Sequence, residues 1–389
     1  MDSKIKYRPD IDGLRGIAVL LVVFYHFEKI FLETKIFQGG FVGVDIFFVI
    51  SGYLISSLLF RELKISKKIS FHDFYVRRIK RILPVLSVVI IFTLIITHLI
   101  FIPEKYTITV KSAVSSWFFF SNLFFWKQLS TYHAEESVNI PLLHTWSLSV
   151  EEQFYILFPV FLFLIFKYFK NKLLISIFCI IVLSLILSTY ASFNHPSANF
   201  YFLPTRVWEI LFGSIIAYFE IFKNRKFTLN KFKVFLTLLS LFLIILFANQ
   251  ANEHTFHPSI ITLIPILSVS VLICYCGEKN FITNKILTSK FLVYIGLISY
   301  SLYLWHYPIF VLIKNLNIEF KSFYVVSIVI LISTFLISSL SYHLIERPFR
   351  NKIFNLKLIL SPVIIFSFII IFLNFKNFDY LNNSSKYSK

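Results

Sequence analysis

The sequence predicts an all-α, polytopic transmembrane helix bundle of about 10–11 spans with its N-terminus in the cytoplasm. Three observations lead there. Of 389 residues 57% are hydrophobic and only 15% are charged, where a soluble domain carries about 25% charge. Uninterrupted apolar runs such as Val85 to Phe101, Leu173 to Leu187, Val234 to Phe247 and Val325 to Leu340 recur along the whole length. Each is near the roughly 20 residues that cross about 30 Å of hydrocarbon. Lys and Arg are also unevenly shared: 27 of the 38 fall in segments that alternate onto one side, which the positive-inside rule makes cytoplasmic. The formal charge of +18 is therefore a topology signal, and no nucleic-acid partner is expected. A soluble enzyme and a secreted disulfide scaffold are excluded on the same grounds.

The first apolar run, 14–33, carries Arg15, His26 and Glu28 and has no small-residue cleavage site after it, so it reads as a retained span and not a removed signal peptide. The second, 40–60, follows a glycine pair and holds Asp45. A strongly basic loop leads into the third, 82–102. Residues 103–141 are then exoplasmic, and their aromatic stretch Ser115 to Trp126 suits a re-entrant or interfacial helix, being too short to cross. Further spans are expected at 142–166, 173–192, 203–222, 234–249, 258–276, 291–313 and 323–344, with an eleventh at 358–375. Residues 1–350 thus form one membrane domain, 351–376 an additional C-terminal span and 377–389 a short polar exoplasmic tail. Cys179, Cys274 and Cys276 lie in or at the ends of apolar runs, and their spacing lacks the partners a zinc site needs, so no metal is expected.

A charge in hydrocarbon is costly unless it is paired or faces a cavity, which makes each intramembrane ionisable residue a site candidate. Counting 1.5 Å per helical residue places His26 about 10 Å and Asp45 about 8 Å from the outer face, where they can meet. Arg206, Glu209, Glu151, Glu152 and His306 count to the same outer layer. One of the adjacent Glu151 and Glu152 is expected to face a loop or polar cavity, because both cannot be buried and ionised without cations. A second group lies on the cytoplasmic side: Arg77, Arg78 and Arg81 before span three, with Arg15, Glu346 and Arg347 at the same level. In a helix Arg77 and Arg81 share a face at i and i+4, and guanidinium forks suit phosphate oxygens. The plainer alternatives are lipid anchoring for the arginines, interhelical hydrogen bonding for His26 and an aromatic belt for His306.

Several long segments, ordered along residues 7 to 350, resemble the acyltransferase 3 family of integral-membrane O-acyltransferases, especially the bacterial O-antigen and peptidoglycan acetylases. They are Tyr7-Arg8-Pro9-Asp10-Ile11-Asp12-Gly13-Leu14-Arg15-Gly16 leading to His26, Gly39 to Ile55 around Asp45, and the run Arg77 to Arg81 before Leu83-Pro84. Leu143 to Tyr155, Ser299 to Pro308 and Glu346-Arg347-Pro348 complete the pattern. The resemblance implies acetyl-CoA as donor substrate from the cytosol, no bound cofactor, and a glycan hydroxyl as acceptor on the outer side of the bacterial cytoplasmic (inner) membrane. Lipopolysaccharide O-antigen or a related polysaccharide is the expected acceptor. Carried over residue by residue, it implies CoA binding by Arg15, Arg77, Arg78 and Arg81, and catalysis by His26 with Asp45, Glu152 and His306.

His26 suits a general base or transient acyl carrier, since an imidazole takes and returns a proton near neutrality. Asp45 would then fix its tautomer. Arg206 would offset developing negative charge, with Glu209 and Glu346 supporting. Ser51 is a candidate hydroxyl acyl relay, although its Ser-Gly-Tyr context fits close helix packing equally well. Many members carry an exoplasmic SGNH-type esterase domain after the eleventh span, whereas here only a short tail follows. Transfer within the membrane domain alone is the expectation, with a separate exoplasmic partner or a truncated chain as alternatives. The sequence leaves the acceptor sugar, the acyl chain and the oligomeric state open. Two competing functions are a transporter or flippase of a lipid-linked or acylated glycan and a non-catalytic partner subunit.

Overall fold

A computed structural model describes residues 7–32, 36–131, 139–169, 172–224, 230–252, 254–277, 281–316 and 323–351. The described residues are helices and connecting turns, with no strand among them. Among the described residues seven helices are long and apolar enough to cross a membrane, or eight if one bent pair is a single span. The eleventh span and the tail expected beyond residue 351 lie outside the described residues.

The chain divides into two compact units, residues 1–70 with 150–299 and residues 71–149 with 300–389. The first unit opens with α1 (Pro9–Phe31) and α2 (Val42–Ser66). Helix α6 (Thr145–Tyr168) enters it after Ser149. It continues through α7 (Leu173–Asn194), α8 (Pro196–Tyr201), α9 (Leu203–Ile221) and α10 (Lys231–Gln250). A 3-10 turn, Ile260–Thr262, leads into α11 (Leu263–Tyr275), and α12 (Ile282–Leu287) and α13 (Lys290–Leu297) close the unit. Helix α9 packs on α2 and α7, and α13 packs on α1. The α2–α9 contact depends on two glycines. A methyl group on Gly52 would run into the Ile210 carbonyl, and one on Gly213 into the Val49 carbonyl and Tyr53 amide. Small residues let membrane helices approach at backbone distance, which accounts for Ser-Gly-Tyr at 51–53.

The second unit holds α3 (Phe71–Ile100), α4 (Pro103–Trp117), α5 (Ser121–Thr131), α14 (Ser299–Asn315) and α15 (Phe323–Ser341). Helix α15 runs into a π-helical turn, Tyr342–Glu346, and then α16 (Arg347–Arg350). Pro348 has no N–H to offer the Leu344 carbonyl, and a widened turn is a common response to such a break in the ladder.

Both units carry the pattern of a membrane protein. On α7, Ile175, Phe178, Leu183, Ile186 and Tyr190 are exposed while Ser184, Ser188 and Ser192 are buried. On α15, Val325, Ile328, Ile332 and Leu336 are exposed and Thr334 and Ser338 buried. Hydroxyls inward and large aliphatics outward is the arrangement a lipid environment selects.

Three expectations are corrected. Span three starts well before residue 82, because Phe71–Ile100 is one helix that includes the arginines. The expected span at 203–222 coincides with α9, which the extended residue Phe202 divides from the short helix α8 before it. The span at 291–313 is two helices bent by 70° at Ile298. The stretch Ser115 to Trp126 is not one helix: Phe119 has φ 58°, a left-handed conformation unfavourable for a bulky residue. It divides α4 from α5. Ser149 Oγ accepts from the Ser121 amide at 3.2 Å and lies 2.7 Å from Ser121 Oγ, and Thr145 Oγ1 lies 2.7 Å from Ser116 Oγ. These buried hydroxyl contacts hold the break in place.

Candidate active site

In the first unit the start of α2, the start of α9 and the loop after α10 converge on Asp45. Arg206 Nη1 donates to Asp45 Oδ1 at 2.9 Å and to Glu209 Oε1 at 2.9 Å. His257 Nε2 lies 2.8 Å from Asp45 Oδ2. Asp45, Arg206 and Glu209 are all buried. The guanidinium also donates through Nε to the Phe200 carbonyl at 3.2 Å and lies 5.1 Å from the Phe200 ring and 5.7 Å from that of Phe48. Burial pulls the His257 imidazole below its ordinary value; Asp45 opposes that shift and Arg206 adds to it. Burial, only partly opposed by the Asp45 carboxylate, favours the neutral ring, the form that can accept a proton.

The sequence had looked to His26 as the imidazole oriented by Asp45. In the structure the two Asp45 oxygens face Arg206 and His257, so the ring that this carboxylate orients directly is His257. His26 lies near the C-terminal end of α1, its ring 5.1 Å from that of Tyr25. Arg15 lies in the first half of α1, with Nη1 3.4 Å from Asp12 Oδ1. Glu152 is buried in α6, and Glu151 is the half-exposed member of the pair. Glu151 accepts from Ser51 Oγ at 3.1 Å and from Tyr155 Oη at 3.1 Å. Ser51 thus has a carboxylate at its hydroxyl.

The second unit holds the remaining candidates. Arg77, Arg78 and Arg81 occupy the first turns of α3. Arg77 is exposed while Arg78 and Arg81 are half-buried, with Arg78 over the Phe74 ring at 5.9 Å. The i, i+3 pair Arg78 and Arg81 is consequently the one turned toward protein, and not Arg77 and Arg81. Glu346 accepts from Ser301 Oγ at 2.8 Å, and Arg350 lies 3.7 Å away. His306 is buried in α14 and donates through Nδ1 to the Leu302 carbonyl at 3.2 Å. Its ring centre lies 5.3 Å from that of His144, a residue not singled out from the sequence. Ser147 donates to Tyr303 Oη at 2.6 Å, and Tyr303 donates to the His144 carbonyl at 2.7 Å. Burial, and after it His306, hold the His144 ring well below its ordinary value. The Leu304 carbonyl is near enough to favour a proton there, yet neither nitrogen of His144 closes a hydrogen bond.

His257 was missed because it sits in a polar loop, where a histidine raises no alarm. Its one visible cue is its place between two spans, directly before Pro258. His144 lies within the segment Leu143 to Tyr155, where nothing in the sequence sets it apart from its neighbours.

Apolar helices long enough to cross a membrane, with acid–base groups buried among them, define a multi-pass membrane protein. A family model described as Acyltransferase domain matches residues 8–343. The chain is 35% identical over 365 residues to the O-acetyltransferase OatA of Staphylococcus aureus (strain NCTC 8325 / PS 47), covering 90% of this chain and 58% of the relative. It is 33% identical over 365 residues to the putative peptidoglycan O-acetyltransferase YrhL of Bacillus subtilis (strain 168), covering 90% and 56%. To the peptidoglycan O-acetyltransferase OatA of Listeria monocytogenes it is 33% identical over 360 residues, covering 89% and 56%. The chain spans less than two thirds of the length of these relatives. No solved structure matches it. The chain belongs to the acyltransferase 3 family of membrane acyltransferases.

Proposed function

We propose that this protein moves an acetyl group from cytosolic acetyl-CoA to a hydroxyl of a cell-surface glycan. The family match across residues 8–343 is the observation that carries the reading, and it favours group transfer over transport. Two of the relatives are named as acting on peptidoglycan, so peptidoglycan replaces lipopolysaccharide O-antigen as the favoured acceptor. The donor would bind through its phosphates at Arg78 and Arg81, with Arg77 and Arg15 contributing charge. Arg81 and Arg78 lie one helical turn apart, which suits two oxygens of a diphosphate. With the N-terminus cytoplasmic, α3 begins on the donor side, and Asp45 lies toward the acceptor side of the bacterial cytoplasmic membrane. His26 is the general base or transient acyl carrier, supported by Glu152, and Ser51 beside Glu151 is a hydroxyl relay; His306 is a separate candidate in the second unit.

Labelled acetyl-CoA supplied to one face of sealed, oriented vesicles tests this reading. The expected result is label in glycan on the opposite face, reduced about 10²- to 10⁴-fold in His26→Ala while the variant stays membrane-inserted. Net glycan movement with no incorporated acetyl would replace the reading with a transporter, and full activity in His26→Ala would remove that residue from the mechanism.

A further inference from the structure

The group around Asp45 contains more than the proposed chemistry uses. His257 is held by the carboxylate on one nitrogen, Nε2. Nε2 therefore carries the hydrogen and Nδ1 is the basic position, the arrangement in which a carboxylate orients an imidazole for catalysis. The loop that carries it is itself fixed: Asn199 Nδ2 donates to the Pro258 carbonyl at 2.7 Å, and Ser188 Oγ donates to it at 3.0 Å. The ring is walled by Phe41 at 4.6 Å and Phe200 at 6.3 Å. The tilted rings of Phe193 and Phe256 lie 4.5 Å apart, and both are exposed.

A further acceptor belongs to the same group. Asn199 Oδ1 is buried with no hydrogen-bond partner among the described residues. A buried polar atom without a partner is costly, so it marks where a ligand's donor is wanted. Aromatic walls, a carboxylate-held imidazole and an acceptor lacking a donor together complement a polyhydroxylated ligand, whose C–H faces stack on rings and whose hydroxyls donate.

We propose that His257 is the base that deprotonates the acceptor hydroxyl, at an acceptor subsite formed by the starts of α2 and α9 and the loop after α10. The inference rests on the glycan acetyltransferase reading and deepens it. The acceptor O–H proton passes to Nδ1 of His257 as its oxygen bonds to the acetyl carbonyl carbon. The bond from that carbon to its carrier, the thioester C–S bond when CoA is the carrier, breaks with its electron pair. The departing thiolate takes up one proton, and the imidazolium releases one, so the products are ester and thiol. Of the two roles open to His26, acyl carrier is then the one remaining.

His257→Gln tests this in the full-length protein, because the amide can still donate to Asp45 and keep the loop in place. Acetyl transfer to glycan should fall about 10²- to 10⁴-fold in kcat, with acetyl-CoA affinity unchanged. Asp45→Asn adds a readout that a purely structural tie would not move. The groups facing the imidazole are Asp45 from α2 and Arg206 from α9, with Glu209 of α9 next to both of them. Loss of the Asp45 charge leaves Arg206 to disfavour the imidazolium, so the acid limb of kcat/KM should move to lower pH. Activity of His257→Gln within about threefold of wild type, or an acid limb unmoved in Asp45→Asn, overturns the proposal. Either result with an active wild-type protein leaves the acetyltransferase reading standing. A wild-type protein that acetylates no glycan defeats that reading instead.

Discussion

The two units treat positive charge in opposite ways. In the first, Arg206 is fully enclosed and its Nη1 is committed to two carboxylates, with Asp45 in turn facing His257. In the second, Arg77, Arg78 and Arg81 stand on the opening turns of α3 with exposed or half-exposed side chains. A buried cation must be matched inside the protein, and removing its match leaves uncompensated charge. An exposed cation such as Arg77 needs no such match within the protein. The first arrangement suits an organised reaction centre; the second suits the reversible capture of a phosphate-bearing donor.

Breaking the enclosed arginine should have the largest effect. Arg206→Met deprives Asp45 and Glu209 of their shared counter-ion and should cost about 3–5 kcal/mol. It would be read as a lower midpoint for thermal unfolding in detergent and a lower membrane yield. A midpoint equal to wild type would mean that the carboxylates are neutralised some other way, and the contrast between the units would lose its energetic basis.

Much of this centre was legible because charge stands out against hydrocarbon. Asp45 between Val44 and Ile46, and Arg206 and Glu209 one turn apart in an apolar run, are improbable unless paired. Which partner each takes was not legible. Depth counting matched Asp45 to His26 because both lie near span ends. It could not see that the loop after α10 folds back over the start of α2. Likewise, hydropathy marks where apolar residues are and is silent on direction, so the bend at Ile298 and the break at Phe119 left no trace in it. The extent of α3 escaped for a related reason: its first turns are basic and amphipathic, and an apolar window starts only where the charges stop.

A smaller effect is expected from the packing that carries the enclosed group. Gly213→Ala puts a methyl group against the Val49 carbonyl and Tyr53 amide, which should force α9 away from α2 at about 1–3 kcal/mol. Arg206 and Glu209 move with α9 while Asp45 stays on α2. Thermal stability and acetyl transfer should therefore fall together, with acetyl-CoA affinity unchanged. A variant as stable as wild type would show that the two helices do not depend on their close approach.

The smallest effects belong to the open arginines, and they separate donor capture from lipid anchoring. Arg78→Ala or Arg81→Ala removes a charge-assisted hydrogen bond to phosphate, worth about 1.5–3 kcal/mol, so the KM for acetyl-CoA should rise at least tenfold with kcat little changed. Raising the salt concentration should shrink the difference, because partly exposed charges are screened. Arg77→Ala, on the exposed face, should change stability by less than about 0.5 kcal/mol and KM by less than either neighbour. If all three substitutions shift KM equally, the face of α3 does not discriminate and the arginines act only as a diffuse positive field. If none does, while vesicles rich in anionic lipid bind the variants less well, these residues are anchors, and the donor's phosphates must be held elsewhere.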